Sequence, residues 1–214
     1  MSDPVPAPEA GGVPGMAVTT VPGIDEGWVR AVLFEHAIDD WIDLGPDPLR
    51  RRYVGDIYAQ QVAAAYQSWK WLTERLGTDV NDPPPPAAPA EPLALALAAS
   101  DWTELMAVLL SVGRAQSLLF GDLARLGDDA TRRGFDRPAR ECAGHAALGY
   151  LELRRGAFTD AAAAGECLTR LVLATRRWLE ALDAARSGEE PLASRWRAGV
   201  QPLLESLGTD FLQG

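Results

Sequence analysis

The chain has 214 residues, 47% of them hydrophobic, and a formal net charge of −10, enough for one domain with a sizeable core. Acidic side chains outnumber basic ones and no basic run exceeds Arg50-Arg51-Arg52, which argues against nucleic acid and anionic membrane surfaces as partners. Two cysteines, Cys142 and Cys167, do not make a disulfide scaffold.

Residues 1–23 are rich in Pro, Gly and Ala and read as a flexible N-terminal arm. Residues 24–214 read as a single helical domain. From Ile24 to Leu44 the residues Trp28, Val32, Phe34, Ala37, Ile38 and Trp41 recur at helical spacing, and Gly45-Pro46-Asp47-Pro48 ends that helix. A second helix is predicted from about Leu49 to Leu76, with Gly77 at its C-terminal cap. The prolines of residues 82–92 predict a stiff, extended crossover connector.

A third helix is expected near Asp101, where Asp101 and Glu104 form a capping-box-like start, and it should run to about Leu126. A fourth is predicted over roughly Arg137 to Arg154, a fifth over Thr159 to Ala185, and a short C-terminal one over Pro191 to Ser206. No segment alternates convincingly enough for a strand. The apolar runs, Leu93 to Ala99 among them, read as too short to span a bilayer, and no secretory signal precedes Arg30, so a cytoplasmic location is expected. Long helices, short turns and one long crossover predict an all-α, ferritin-like helical bundle with extra C-terminal helices.

The segment from Asp101 to Gly156 carries most of the functional signal. It contains a Trp102-led helix with Gly113-Arg114-Ala115, then Phe120-Gly121-Asp122, then Glu141-Cys142-Ala143-Gly144-His145. Gln60-Gln61 precedes Trp69-Lys70-Trp71-Leu72 and a helix end at Leu76-Gly77. Over about Ile24 to Ala185 this resembles the phenylacetic acid catabolic oxygenase subunits of the phenylacetyl-CoA epoxidase type. Their ferritin-like bundle carries a Glu-x-x-His-Ala helix, a Trp-led helix with Asp-Arg-Ala, and a Glu-Glu-x-x-His helix.

The departures from that pattern decide the reading. Such a carboxylate site takes an acid from each of two helices and a Glu-x-x-His pair from each of the other two. Carboxylates are required because two hard cations must be neutralised by anionic oxygens. The positions matching the family's ligands are Gln61, Ala64, Gly113, Cys142 and His145, of which only His145 keeps a ligand type. The first helix offers Ala31 at the matching position, and Glu35 only if that helix shifts by one turn. Glu35, Glu141 and His145 are therefore remnant candidates, and no metal or other cofactor is expected.

The resemblance then implies a metal-free accessory subunit without catalysis of its own. Its partners would be a second copy or a catalytic oxygenase subunit. Two alternatives stay open. One is a divergent iron-dependent oxygenase using Glu35, Glu104, Glu141 and His145 as an irregular set. The other is a helical bundle that binds a small molecule in space vacated at Ala64 and Gly113.

Other constellations have plainer readings. Cys142 and His145, three apart, share a helix face and suit a small buried thiol beside a hydrogen-bonded core histidine; a zinc site would need further ligands. Glu141 and His145, four apart, could pair locally. Glu35, Asp39 and Asp43 line an acidic face of the first helix. Trp69 and Trp71 cannot share a face, so one of them is expected at an interface. Gly113 in mid-helix would permit close helix contact.

Overall fold

The computed structural model describes residues 41–76, 91–126, 128–155, 161–184 and 190–208. Within the helices, the side chains of residues 65, 68, 69, 71–76, 93, 126 and 161–164 are not described. The readings for the N-terminal arm, for Ala31, Glu35 and Asp39, and for the side chains of Trp69 and Trp71 all lie outside the described set.

The protein is an all-α bundle with no strand among the described residues. After a helical turn at residues 41–43 come α1 (Pro48–Leu76), α2 (Glu91–Leu97), α3 (Trp102–Leu126), α4 (Asp129–Arg155), α5 (Ala161–Ala184) and α6 (Leu192–Ser206). Helix α3 is the hub. Leu105 to Val112 is buried without interruption, and α3 packs on α2, α4, α5 and α6. A helix apolar all round must be enclosed, and α3 is. By length and hydropathy it could cross a membrane, which corrects the expectation that every apolar run is too short; 72% of that window is buried inside the bundle, as in a core helix.

The start of α3 follows the expected chemistry with one change of partner. The Asp101 carboxylate accepts from the Glu104 N–H at 2.8 Å, while the Glu104 carboxylate accepts from the N–H and hydroxyl of Ser100 at 2.8 and 2.9 Å. Helix α4 begins eight residues before its predicted start. The Asp128 carboxylate caps it, accepting from the Thr131 N–H and hydroxyl at 2.9 and 2.8 Å. Pro138 sits buried inside this helix, which continues through it. Helix α2 was not expected at all: the connector reading ran to residue 92, yet Glu91 and Pro92 open a helix. Proline is tolerated in a first turn, where its missing N–H has no acceptor to serve.

Helices α3 and α4 form an antiparallel hairpin of very close approach. A Cβ built on Gly149 would stand 2.5 Å from the Met106 carbonyl oxygen and 2.7 Å from the Leu110 nitrogen. One built on Gly113 would stand 3.3 Å from the Cys142 carbonyl oxygen and 3.4 Å from the Ala146 nitrogen. Gly113 therefore does what its position suggested, bringing two backbones together where a side chain would hold them apart.

Polar ties fix α5 and α6 on α3 and on each other. Trp196 of α6, fully buried, donates its indole N–H to the Ser111 carbonyl at 3.0 Å. The Ser111 and Thr175 hydroxyls pair at 2.8 Å, tying α3 to α5. Buried Asp122 takes both oxygens to Arg195 at 2.8 and 2.9 Å. The Asp183 carboxylate caps α6 by accepting from the Leu192 and Ala193 N–H groups at 2.8 and 2.9 Å. Each satisfied group avoids the roughly 1–3 kcal/mol that an orphaned buried polar group costs.

Candidate functional site

The positions singled out from the resemblance meet at one level of the bundle. Gln61 of α1 and Cys142 and His145 of α4 are 8%, 1% and 4% exposed, and Gly113 of α3 lies against the Cys142 carbonyl and the His145 Cβ. Ala64, three residues beyond Gln61 on α1, is buried as well. Two residues that the sequence reading gave no role join them: Gln60 of α1 and Gln116 of α3.

The hydrogen bonds have a definite direction. The Gln60 Oε1 lies 2.6 Å from His145 Nε2 and can only accept, so the imidazole proton is on Nε2. His145 Nδ1 is then an acceptor, and the Gln61 amide Nε2 donates to it at 3.0 Å. The second N–H of the same amide reaches the Cys142 Sγ at 3.6 Å. The Cys142 thiol in turn donates to the Gln116 Oε1 at 3.6 Å. Gln61 is thus a two-way donor between an imidazole and a thiol held on one face of α4 by their i, i+3 spacing.

Among the described residues this layer holds no carboxylate, lysine or arginine. Two of the amides, Gln61 and Gln116, and the His145 imidazole line a cavity of about 20 Å³ together with Trp41, Ile57, Val108, Leu109, Val112 and Gly113. Among the described residues no group of three or more His, Cys, Asp or Glu side chains stands together to hold a metal ion. Among the described residues the donor set does not fit a di-iron centre: one imidazole and one thiol, with no carboxylate beside them, cannot neutralise two hard cations. The cavity is also far smaller than the space a drug-sized organic ligand fills.

The expected Glu141–His145 pair does not form. Glu141 accepts from Arg137 at 2.7 Å, one turn back along the half-exposed side of α4, while His145 turns inward to the glutamines. Glu104, the other described member of the irregular metal set, is occupied in capping α3 and lies 3.8 Å from Arg170. The sequence did hold a signal for Gln116. It continues the apolar i, i+4 stripe of Leu105, Leu109 and Val112, and a polar residue on such a stripe needs buried partners.

Two larger hollows lie away from this layer. One, of about 260 Å³, is lined by Pro46, Trp102, Met106, Leu153 and the charged set Arg50, Glu152 and Arg155. Buried Glu152 accepts from Arg50 at 2.6 Å and from Arg155 at 3.1 Å. Burial pushes its carboxyl up, but the Arg50 bond and the two guanidinium charges outweigh that and hold it below the usual carboxylate range. The other, of about 180 Å³, is lined by Glu104, Arg170 and Cys167 among others. Burial, with Glu104 adding to it, pushes the Cys167 thiol up to about 11. That is the environment of an unreactive thiol.

No protein-family model matches the chain, and no curated protein matches it.

Proposed function

We propose that this protein is a non-catalytic, metal-free accessory subunit. On this reading it is a ferritin-like bundle related to the phenylacetyl-CoA oxygenase type, acting in the cytoplasm by surface complementarity to a catalytic subunit. One observation carries the reading. The positions that the resemblance assigns to metal ligands, on three different helices, converge in a single buried layer, and that layer is closed by neutral hydrogen bonds. Chance substitution at unrelated sites would give no reason for Gln61, Gly113, Cys142 and His145 to touch.

The chemistry of the layer supports a structural role. A Gln at a carboxylate position keeps the length and one oxygen of Glu while removing the charge. It can then donate to His145 and Cys142, which a carboxylate cannot. Helix α1 exposes Leu49 and Tyr53 near its start and Tyr66, on a different side, nearer its end, and Tyr66, the most exposed of them, is the position to test first for a partner. The test is co-expression with the catalytic oxygenase subunit encoded nearest to this chain, followed by size-exclusion chromatography and native mass spectrometry. A complex of fixed stoichiometry, weakened by Tyr66→Glu, is the expected result. Separate elution of the two chains at micromolar concentration overturns the reading.

A second reading, small-molecule binding, is favoured by one observation, and it concerns a different place from the vacated centre. The 260 Å³ hollow joins an apolar floor to two guanidinium groups. A small organic anion that raises the melting temperature of the wild type but not of Arg155→Ala would establish it, by mass action on the folded state.

A further inference from the structure

The hydrogen-bonded layer ends on an open donor. Gln116 is 3% exposed, and its Oε1 accepts from the Cys142 thiol. Its Nε2, fully enclosed, has no hydrogen-bond partner in the protein. The same residue lines the 20 Å³ cavity together with Gln61 and His145. A buried amide N–H without an acceptor is rare in native proteins and calls for an explanation.

We infer that this cavity is a binding site for one resident water molecule, which accepts from Gln116 Nε2 and completes the layer. Three observations converge on that occupant. The volume is that of a single water, above the roughly 10–15 Å³ that one water needs and well below any organic ligand. The cavity wall mixes apolar side chains with Gln61, Gln116 and His145, and the unpartnered donor there is Gln116 Nε2, whereas a purely apolar cavity of this kind stays dry. The donor chain requires an acceptor, and water is both acceptor and donor. A monatomic anion would also accept from Gln116, but among the described residues of the layer no cationic side chain stands by to balance its charge. The inference stands on the geometry of the layer and does not depend on the accessory-subunit reading.

The site gives the vacated centre a defined chemistry. The water would bridge α3 to the α1–α4 contacts and hold Gln116 in the rotamer that accepts the Cys142 thiol. The test is a high-resolution crystal structure of the full chain, grown once in chloride and once in bromide, beside nuclear Overhauser spectra of wild-type protein in solution. The expected result is a single density peak within hydrogen-bond distance of Gln116 Nε2 and no anomalous signal from bromide. The spectra should show cross-peaks from the Gln116 side-chain amide at the water frequency, with the sign of a long-lived bound water. An empty cavity, an anomalous bromide peak, or a Gln116 amide turned to a protein acceptor would each overturn the inference. Gln116→Met, similar in length and without a donor, should lose the peak while Gln60, Gln61 and His145 keep their contacts. A peak that persists there with full occupancy would contradict the role given to Gln116.

Discussion

Replacing Gly149 by alanine forces a conflict between two opposing effects on one helix. Alanine favours a helix interior over glycine by about 1 kcal/mol. At Gly149, however, the new Cβ would meet the Met106 carbonyl oxygen at 2.5 Å and the Leu110 nitrogen at 2.7 Å. Both atoms belong to the backbone of α3, so no rotamer change can relieve them. The helices must separate, and overpacking of this kind costs about 3 kcal/mol at the upper end of its usual range. The net expectation is a loss of about 2 kcal/mol, which for a chain of this size lowers the melting temperature by about 4–8 °C. Gly144, five residues earlier on the same helix, has nothing within 4 Å of its Cβ position and is exposed. Gly144→Ala should therefore stabilise, by about 0.5–1 kcal/mol. Gly113→Ala, with contacts of 3.3 and 3.4 Å, should fall between the two. Urea unfolding followed by helical circular dichroism measures all three. A Gly149→Ala protein as stable as wild type, or a Gly144→Ala protein equally damaged, would refute the close-packed hairpin.

Four more expectations follow from the structure. Gln61→Leu removes the amide that donates to His145 Nδ1 and the Cys142 sulfur and should lower stability by about 2–3 kcal/mol; nitrogen-15 spectra of the wild type should show the His145 proton on Nε2, and a proton on Nδ1 would contradict the layer. Glu152 has a folded pKa below its ordinary 4.5, so its contribution is fully present above that pH and is lost as pH falls through the lower folded value. Arg50→Ala should thus cost about 2 kcal/mol at pH 7 and progressively less on acidification, read from urea midpoints across pH. Cys167 runs the other way. With its thiol raised from 9.0 to about 11, the folded state holds the proton longer, so stability should fall as pH rises from 9 to 11, a slope reduced in Cys167→Ala. A thiol reagent at pH 8 should label neither buried cysteine until urea unfolds the chain.

The parts of the fold legible in the sequence are those set by local pattern. The apolar stripe of α3 and the spacing from Asp101 to Glu104 fixed where that helix begins, and the helix follows. Elements whose local signals conflict were misread. The fourth helix was expected to open near Arg137, just before Pro138, yet Asp128 caps it nine residues earlier. The proline run hid α2, because a proline that breaks a helix interior is also a good first-turn residue. The candidate site was legible as a list of positions but not as a set of contacts. Glu141 and His145 have the spacing of a pair, and only tertiary structure shows that Arg137 takes the first while two glutamines from α1 take the second. The closing of the layer depends on Gln116, which comes from a third helix, and nothing local announces that meeting.

The central claim is that the ligand-matching positions form a neutral, hydrogen-bonded layer in place of a metal centre. The most direct test is elemental analysis of protein expressed with added iron and purified without chelators, beside His145→Ala prepared in the same way. The account predicts only trace transition metal, the same in both proteins. Stoichiometric iron in the wild type that disappears in His145→Ala would contradict it, and would make the bundle a metalloprotein with a ligand set drawn partly from outside the described residues.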